Sequence, residues 1–203
     1  MLTFKAQQLS MLLKHLRSRR KTKMSDKPIV LILGSGPRVG AAVAKKFANI
    51  GYSVALASRK ATNGKTSEGY FAIQADLANP ASLPSIFEAV TKELNSAPSV
   101  VIYNAATLTP LKDNNLFSIS TENLANDLNV NTVSVYAAAR EAVNGWAGLP
   151  AGTGAKKVFN YTGNKQNTAI VPMLLMTTLG VGKSATGYLI GAADAEYAKQ
   201  GYR

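Results

Sequence analysis

Residues 31–47 read LILGSGPRVGAAVAKKF, an apolar run followed by a glycine-rich turn and a helical pattern. Glycine lets the chain turn tightly and lets another molecule approach the backbone closely. The free amides at the start of the following helix attract an anionic group such as a pyrophosphate. This order of elements predicts a dinucleotide-binding unit that uses Gly34, Ser35, Gly36, Arg38, Val39 and Gly40. The alternative is a glycine-rich turn that binds no ligand.

Apolar runs and helical patterns alternate along the rest of the chain. Strands are predicted at Ile29–Leu33, Ser53–Ala57, Tyr70–Ala75, Val100–Tyr103 and Lys157–Tyr161. Helices are predicted at Val39–Ile50, Asn79–Leu94, Thr121–Trp146 and Gly182–Lys199. This alternation is typical of parallel βαβ units with helices on both faces of the sheet. We therefore expect an α/β fold with a doubly wound parallel sheet of about five strands, in the order 3-2-1-4-5.

The basic residues are concentrated at the N-terminus. Residues 1–23 carry seven of the 23 lysines and arginines and no acidic residue, within a net charge of +12. Leucines at helical spacing in this segment are typical of a mitochondrial transit peptide. The alternative is a dispensable extension ahead of Met24. We expect a basic extension over residues 1–26 and one domain over residues 27–203, in the cytoplasm, or in mitochondria if the extension is genuine.

Composition excludes several kinds of site. The chain has no cysteine and one histidine, His15, which lies in the basic extension. A Ser-His-Asp triad and a cysteine- or histidine-bound zinc site are therefore excluded from the domain. No apolar run reaches the roughly 18 residues of a membrane span, and no aromatic-basic pattern indicates nucleic-acid binding. We expect no metal site, no membrane span and no nucleic-acid partner.

The end of the second predicted strand indicates the kind of dinucleotide. Proteins that bind NAD usually place an acidic residue there, about 20 residues after the glycine turn, to bind the ribose hydroxyls. This chain has Ser58 and Arg59 at that place. A hydroxyl and a guanidinium suit a 2′-phosphate through charge-assisted hydrogen bonds. The pair predicts NADP(H) in preference to NAD(H); the alternative is a solvated basic strand end.

These features resemble the short-chain dehydrogenase/reductase superfamily over about residues 27–203. The family's Thr-Gly-x-x-x-Gly-x-Gly appears as Leu33-Gly34-x-x-x-Arg38-x-Gly40. Two further matches are ADLANP at 75–80, which contains Asp76 and Leu77, and YNAA at 103–106, which contains Asn104 and Ala105. The resemblance implies a Rossmann-like fold, cofactor contacts from these four residues, and hydride transfer to or from a small-molecule carbonyl or alcohol.

The resemblance also implies where the catalytic residues lie. It places the family's asparagine, which holds a water in the proton relay, at Asn129, and the family's lysine, which also binds the nicotinamide ribose, at Lys183. The tyrosine expected four residues before the lysine is Leu179, and the expected serine is Gly163. With the proton donor unidentified, two hypotheses stay open. One is a divergent reductase, and the other is an inactive dinucleotide-binding relative that acts as a sensor or partner subunit.

Two short motifs match the spacing of known functional sites, a Tyr-x-x-x-Lys pair and a Walker A loop. YTGNK at 161–165 has the literal Tyr-x-x-x-Lys spacing, but it follows a strand and contains the helix-breaking Gly163 and Asn164. We expect strand-end packing for it, with Tyr161 and Thr162 kept as candidate polar groups for the substrate. TTLGVGKS at 177–184 ends like a Walker A loop but lacks the first glycine, which disfavours a nucleotidase.

The resemblance further implies that the chain stops before the last strands of the family fold, and we expect the shorter sheet to be less stable than an extended one. It also implies a homo-oligomer formed through the helices at 121–146 and 182–199.

Overall fold

The structure is a computed structural model that describes residues 27–150, 156–171 and 173–203. The described residues form a six-stranded sheet. Its strands are β1 (Ile29–Leu33), β2 (Ser53–Ser58), β3 (Gly64–Lys65), β4 (Phe71–Gln74), β5 (Val100–Tyr103) and β6 (Val158–Tyr161). Their order is β3-β4-β2-β1-β5-β6, and neighbouring strands are parallel except for β3 and β4. The predicted α/β fold and the order of the five predicted strands are confirmed.

Helices cover both faces of this sheet. The described α-helices are α1 (Val39–Asn49), α2 (Leu83–Leu94), α3 (Thr121–Leu128), α4 (Ser134–Ala147) and α5 (Thr177–Tyr197). A π-helical turn, Asn129–Val133, joins α3 to α4, and a short 3-10 turn, Lys165–Asn167, lies between β6 and α5. No helix in the described ranges is long and apolar enough to cross a bilayer.

Three sequence predictions need correction. The sheet is mixed and has a sixth strand, because the two-residue β3 is too short to show a period, and Gly64 enters it with a φ of 116°. The predicted helix Thr121–Trp146 is interrupted by the π-helical turn. The last helix begins at Thr177 rather than Gly182. The predicted extension at residues 1–26 lies outside the described residues.

Strand β1 supplies the centre of the core. All five of its residues are buried, with at most 1% of any side chain exposed. Leu31 and Leu33 pack on the face covered by α2 and α4, whereas Val30 and Ile32 pack on the face covered by α1. A central strand covered on both faces has to be apolar throughout, which explains the unbroken run IVLIL.

The free edge of β6 carries the last residues of the chain. The amide of Phe159 donates to the carbonyl of Arg203 at 2.6 Å, and the amide of Arg203 donates to the carbonyl of Lys157 at 3.0 Å. Tyr202 is buried beside Trp146, with 5.1 Å between the ring centres. The candidate site lies at one end of the sheet. Because five of the strands are parallel, their carboxyl ends lie at the same end, where the loops that follow them meet.

Candidate active site

The glycine loop after β1 is held by its neighbours. The amides of Gly34 and Ser35 both donate to the carbonyl of Ala57 at the end of β2, at 2.9 and 3.2 Å. The side-chain amide of Asn104, after β5, donates to the carbonyl of Gly34 at 3.0 Å. Gly34 has a φ of 90°, and a Cβ there would collide with the backbone of Ala105. Only glycine fits this position.

The middle of the loop is open. A Cβ added at Gly36 would meet nothing within 4 Å, and Arg38 and Val39 are exposed. Helix α1 begins at Val39, and no described side chain caps its N-terminus. The amide of Ala41 donates to the carbonyl of Gly36 at 3.0 Å, and a helix start without a side-chain cap leaves its first amides for an anion. The residues therefore fit a dinucleotide pyrophosphate. Gly40 supports the fold instead, because its Cβ would lie 2.6 Å from the Cα of Ser35.

The ends of β2 and β4 lie side by side next to this loop. The amide of Ala75 donates to the carbonyl of Ser58 at 3.0 Å, and the side-chain amide of Gln74 donates to the carbonyl of Arg59 at 3.3 Å. Ser58 is half-buried, and Arg59 and Asp76 are exposed. Three predicted cofactor contacts, Ser58, Arg59 and Asp76, are thus brought together at one edge of the sheet.

Asp76 and Leu77 also have structural roles. The carboxylate of Asp76 accepts a hydrogen bond from the amide of Ala78 at 3.0 Å, which shapes the turn after β4. The side chain of Leu77 packs in the core, and its carbonyl accepts from the hydroxyl of Ser134 at 2.7 Å. Of these two predicted contacts, Asp76 is the one whose side chain is exposed.

The loop after β5 is clasped by two side chains that the sequence analysis missed. The side chain of Asn131 accepts from the amide of Thr107 at 3.1 Å and donates to its carbonyl at 2.9 Å. The carboxylate of Asp127, one helical turn earlier, accepts from the amide of Thr109 at 2.7 Å. Both side chains are buried, whereas Asn129 is half-buried. Asp127 and Asn131 are four residues apart in the sequence DLNVN, and this spacing places two polar side chains on the same side of a helix. That pattern could have identified both residues.

The backbone carbonyl of Asn131 contacts hydroxyl groups from two other elements. It accepts a hydrogen bond from the hydroxyl of Thr186 on α5 at 2.7 Å, and the hydroxyl of Tyr161 lies 3.4 Å away. A π-helical turn shifts the hydrogen bonds of the helix by one residue, and such turns are frequent at functional sites. Asn131 thus connects β6, α5 and the loop after β5.

Lys183 lies on α5, one turn after Leu179, and is 5% exposed. Its Nζ donates to the carbonyl of Thr162 at 2.6 Å and lies 4.2 Å from the ring centre of Tyr161. Burial lowers the pKa of Lys183 to about 8. Burial raises the pKa of Tyr161 to about 12, although hydrogen bonds from neighbouring side chains oppose that rise.

Helix α5 approaches its neighbours closely because glycines face them. A Cβ at Gly182 would collide with the side chain of Asn131, and a Cβ at Gly187 would collide with the backbone of Asn167. The side-chain amide of Asn167 donates to the carbonyl of Lys183 at 2.7 Å. This close contact sets the position of Lys183 at the end of β6.

The two imitating motifs are resolved by the fold. Tyr161 ends β6 and Lys165 begins the following 3-10 turn, so YTGNK is a strand end and a turn, as predicted. Residues 177–184 are helical rather than a phosphate-binding loop, which removes the Walker A interpretation. Among the described residues, no group of three or more histidines or acidic residues is placed to hold a metal ion.

A family model and a relative each match most of this chain. Residues 37–182 match the family model described as Enoyl-(Acyl carrier protein) reductase. A short-chain dehydrogenase/reductase of Cryptosporiopsis sp. (strain 8999) is 39% identical over 188 residues, which cover 87% of this chain and 74% of the relative. An uncharacterized oxidoreductase of Caenorhabditis elegans is 36% identical over 87 residues, which cover 38% of this chain and 28% of that protein.

Solved structures agree on the fold. A double mutant of a Serratia marcescens short-chain dehydrogenase/reductase gives a TM-score of 0.70 at 23% identity, covering 88% of this chain and 74% of that one. An NADH-dependent reductase complexed with NAD gives a TM-score of 0.75 at 19% identity, covering 87% and 76%. At these identities the likeness shows the fold alone.

Two glycine substitutions separate folding from cofactor binding. We expect Gly34→Ala to destabilise the protein by about 2 kcal/mol or more, because of its positive φ and its collision with the backbone. We expect Gly36→Ala to change stability by less than about 1 kcal/mol, because its Cβ enters open space, and to weaken NADPH binding at least tenfold. Urea unfolding and NADPH fluorescence titration measure the two effects. Unchanged NADPH affinity in Gly36→Ala would contradict the assignment of the pyrophosphate to the glycine loop.

The pKa of Lys183 makes stability depend on pH. The folded pKa is about 8 and the ordinary value is 10.5. Between these values the unfolded chain binds more protons, so stability rises with pH across this window. We therefore expect the stability of the wild type relative to Lys183→Met to increase from pH 8 to pH 10 and to stay constant below pH 8. Urea unfolding at each pH measures it, and a constant difference throughout would contradict the assignment.

Proposed function

The chain belongs to the short-chain dehydrogenase/reductase superfamily, and from this premise we propose that it is an NADP(H)-dependent oxidoreductase acting on a small-molecule carbonyl or alcohol. The proposal rests on the open space at Gly36 and the uncapped start of α1, which lie at the same end of the sheet as Lys183. NADPH, when bound, supplies the hydride that reduces the carbonyl. The residues of the chain bind it, orient the substrate and handle the proton.

The pyrophosphate is assigned to the glycine loop. The amides at the start of α1 face the anion, and the dipole of an 11-residue helix adds to the attraction. Arg38, exposed at the same end, contributes positive charge. Asn104 holds the loop in the binding shape through its bond to Gly34, and Ala105 packs beneath that glycine.

The preference for NADP(H) rests on the end of β2. Ser58 and Arg59 offer a hydroxyl and a fixed positive charge where an NAD-binding relative offers a carboxylate. The guanidinium is exposed, so it is free to form a bidentate contact with a 2′-phosphate. Asp76, at the end of β4, is assigned to the adenine.

At the reacting end, we assign Asn131 to the role that the resemblance gave to Asn129. The side chain of Asn131 is buried against the loop after β5, and its carbonyl lies among Thr186 and Tyr161. Nζ of Lys183 lies at the end of β6, which supports assigning the role of the family's lysine to this residue. Thr162 presents its carbonyl to Lys183, which supports a positioning role for its backbone.

The second hypothesis, a dinucleotide-binding relative without redox activity, draws on Leu179 and Gly163. Neither side chain can orient or protonate a carbonyl oxygen. An assay separates the two hypotheses. NADPH binding is first measured by fluorescence, and NADPH oxidation is then followed against a panel of aliphatic and aromatic ketones, aldehydes and quinones. Turnover supports the reductase, whereas binding without any turnover supports the sensor.

Arg59 provides the sharpest test of the cofactor. We expect Arg59→Ala to weaken NADPH binding about tenfold to a hundredfold, the usual effect of losing a charge-assisted hydrogen bond, and to change NADH binding less than about threefold. Arg140→Ala, an exposed arginine paired with Glu141 on α4, is the matched control and should leave both affinities unchanged. Equal weakening of NADPH and NADH by Arg59→Ala would exclude the 2′-phosphate assignment.

A further inference from the structure

The proposed reduction needs a proton donor, and the residues that the resemblance aligns with the family's tyrosine and serine cannot supply one. Reduction of a carbonyl needs a proton on the oxygen as well as a hydride on the carbon. Leu179 stands where the resemblance places the donor tyrosine, and Gly163 stands where it places the serine. Neither residue exchanges a proton, so the donor has to be another group near the end of β6.

The neighbouring titratable groups can be compared by where they point. Tyr161 turns its hydroxyl inward to the carbonyl of Asn131, and burial raises its pKa to about 12. Tyr103 donates to the carbonyl of Val130 at 2.7 Å, and burial raises its pKa further. Asp127 accepts from the amide of Thr109 and faces that loop. The two hydroxyls and the carboxylate are therefore each already paired with a backbone group.

Lys183 is buried as well, but its amine has more donor positions than the one backbone carbonyl it contacts. Its Nζ has three donor positions, of which the carbonyl of Thr162 takes one, while the ring of Tyr161 contacts the ammonium through its face. The described residues form no ion pair with Nζ, and Lys165 on the adjacent turn is exposed. Burial lowers the pKa of this amine to about 8. A neutral amine still donates to Thr162, so the contact persists after a proton leaves.

We propose that Nζ of Lys183 is itself the proton donor to the substrate oxygen, in place of the tyrosine that is absent at Leu179. This rests on the proposed function, because NADPH provides the reducing equivalents. The carbonyl carbon gains the hydride, the π electrons of the C=O bond move to oxygen, and the N–H bond of Lys183 breaks as the O–H bond forms. The products are an alcohol, NADP⁺ and a neutral amine, which water then protonates.

Tyr161 is a positioning residue in this scheme. Its ring stabilises the protonated amine by a cation–π contact, whereas burial favours the neutral amine. The glycines of α5 serve the same end, because Gly182 lets the helix approach Asn131 closely and so brings Lys183 to the end of β6.

The first experiment measures the titration of Lys183 directly. Lysine labelled with ¹³C at Cε is incorporated into the protein, and the Lys183 signal is assigned by its loss in Lys183→Arg. We expect this signal to titrate near pH 8 in the protein without cofactor. A midpoint near the ~10.4 of a free lysine side chain would overturn the proposal.

The second experiment compares two variants on a carbonyl that the wild type reduces. Arginine keeps the positive charge but does not release its proton near neutral pH. We expect Lys183→Arg to retain NADPH binding that can be measured, and to lower kcat about a hundredfold or more at saturating NADPH. Tyr161→Phe keeps the ring and removes the hydroxyl, so we expect kcat to fall less than tenfold. Lys92→Arg, exposed on α2, is the matched surface control.

The pH profile gives an independent reading. Reduction needs the protonated amine, so kcat of the wild type should fall as pH rises through about 8. Turnover that survives in Lys183→Arg, or that is lost in Tyr161→Phe instead, overturns the lysine donor and leaves the reductase assignment standing. NADPH binding without turnover of any carbonyl by the wild type overturns both.

Discussion

The buried Asn131 joins the elements that surround the reacting end of the site. Its side chain holds the loop after β5 through two hydrogen bonds, and its carbonyl accepts the hydroxyl of Thr186 on α5. Gly182 packs against it without a side chain. A buried amide must satisfy all of its hydrogen-bonding groups, so these elements can occupy only a narrow range of relative positions. The place of Lys183 depends on that arrangement.

The same close packing accounts for the chemistry of the lysine. Because α5 lies against the π-helical turn and the turn after β6, the amine is withdrawn from water and its pKa falls. Contacts with the carbonyl of Thr162 and the ring of Tyr161 offset part of the cost of burying the amine. With leucine at position 179, the end of β6 still contains a group able to exchange protons near neutral pH, in the place where the proposed chemistry needs one.

Much of the fold could be predicted from local patterns. The five longer strands and the glycine loop follow from short-range periodicity and from the few backbone conformations that glycine alone adopts. The strand β3 escaped prediction because two residues have no period, and the π-helical turn escaped because it continues the pattern of α3 and α4 with one extra residue. Asn129 and Asn131 lie about 200° apart on a helix of ordinary pitch, so choosing between them requires knowing which side of the helix the tertiary structure buries.

The sequence by itself determined the α/β class, the glycine loop and the absence of tyrosine at position 179, because these depend on residue identity and on neighbours within a few positions. Only the tertiary structure decided which asparagine is buried against the loop after β5, where Tyr161 points and how deeply Lys183 is enclosed. These properties arise from contacts between residues far apart in the chain. Burial and hydrogen bonding across such contacts, rather than the local pattern, set the chemistry of each group.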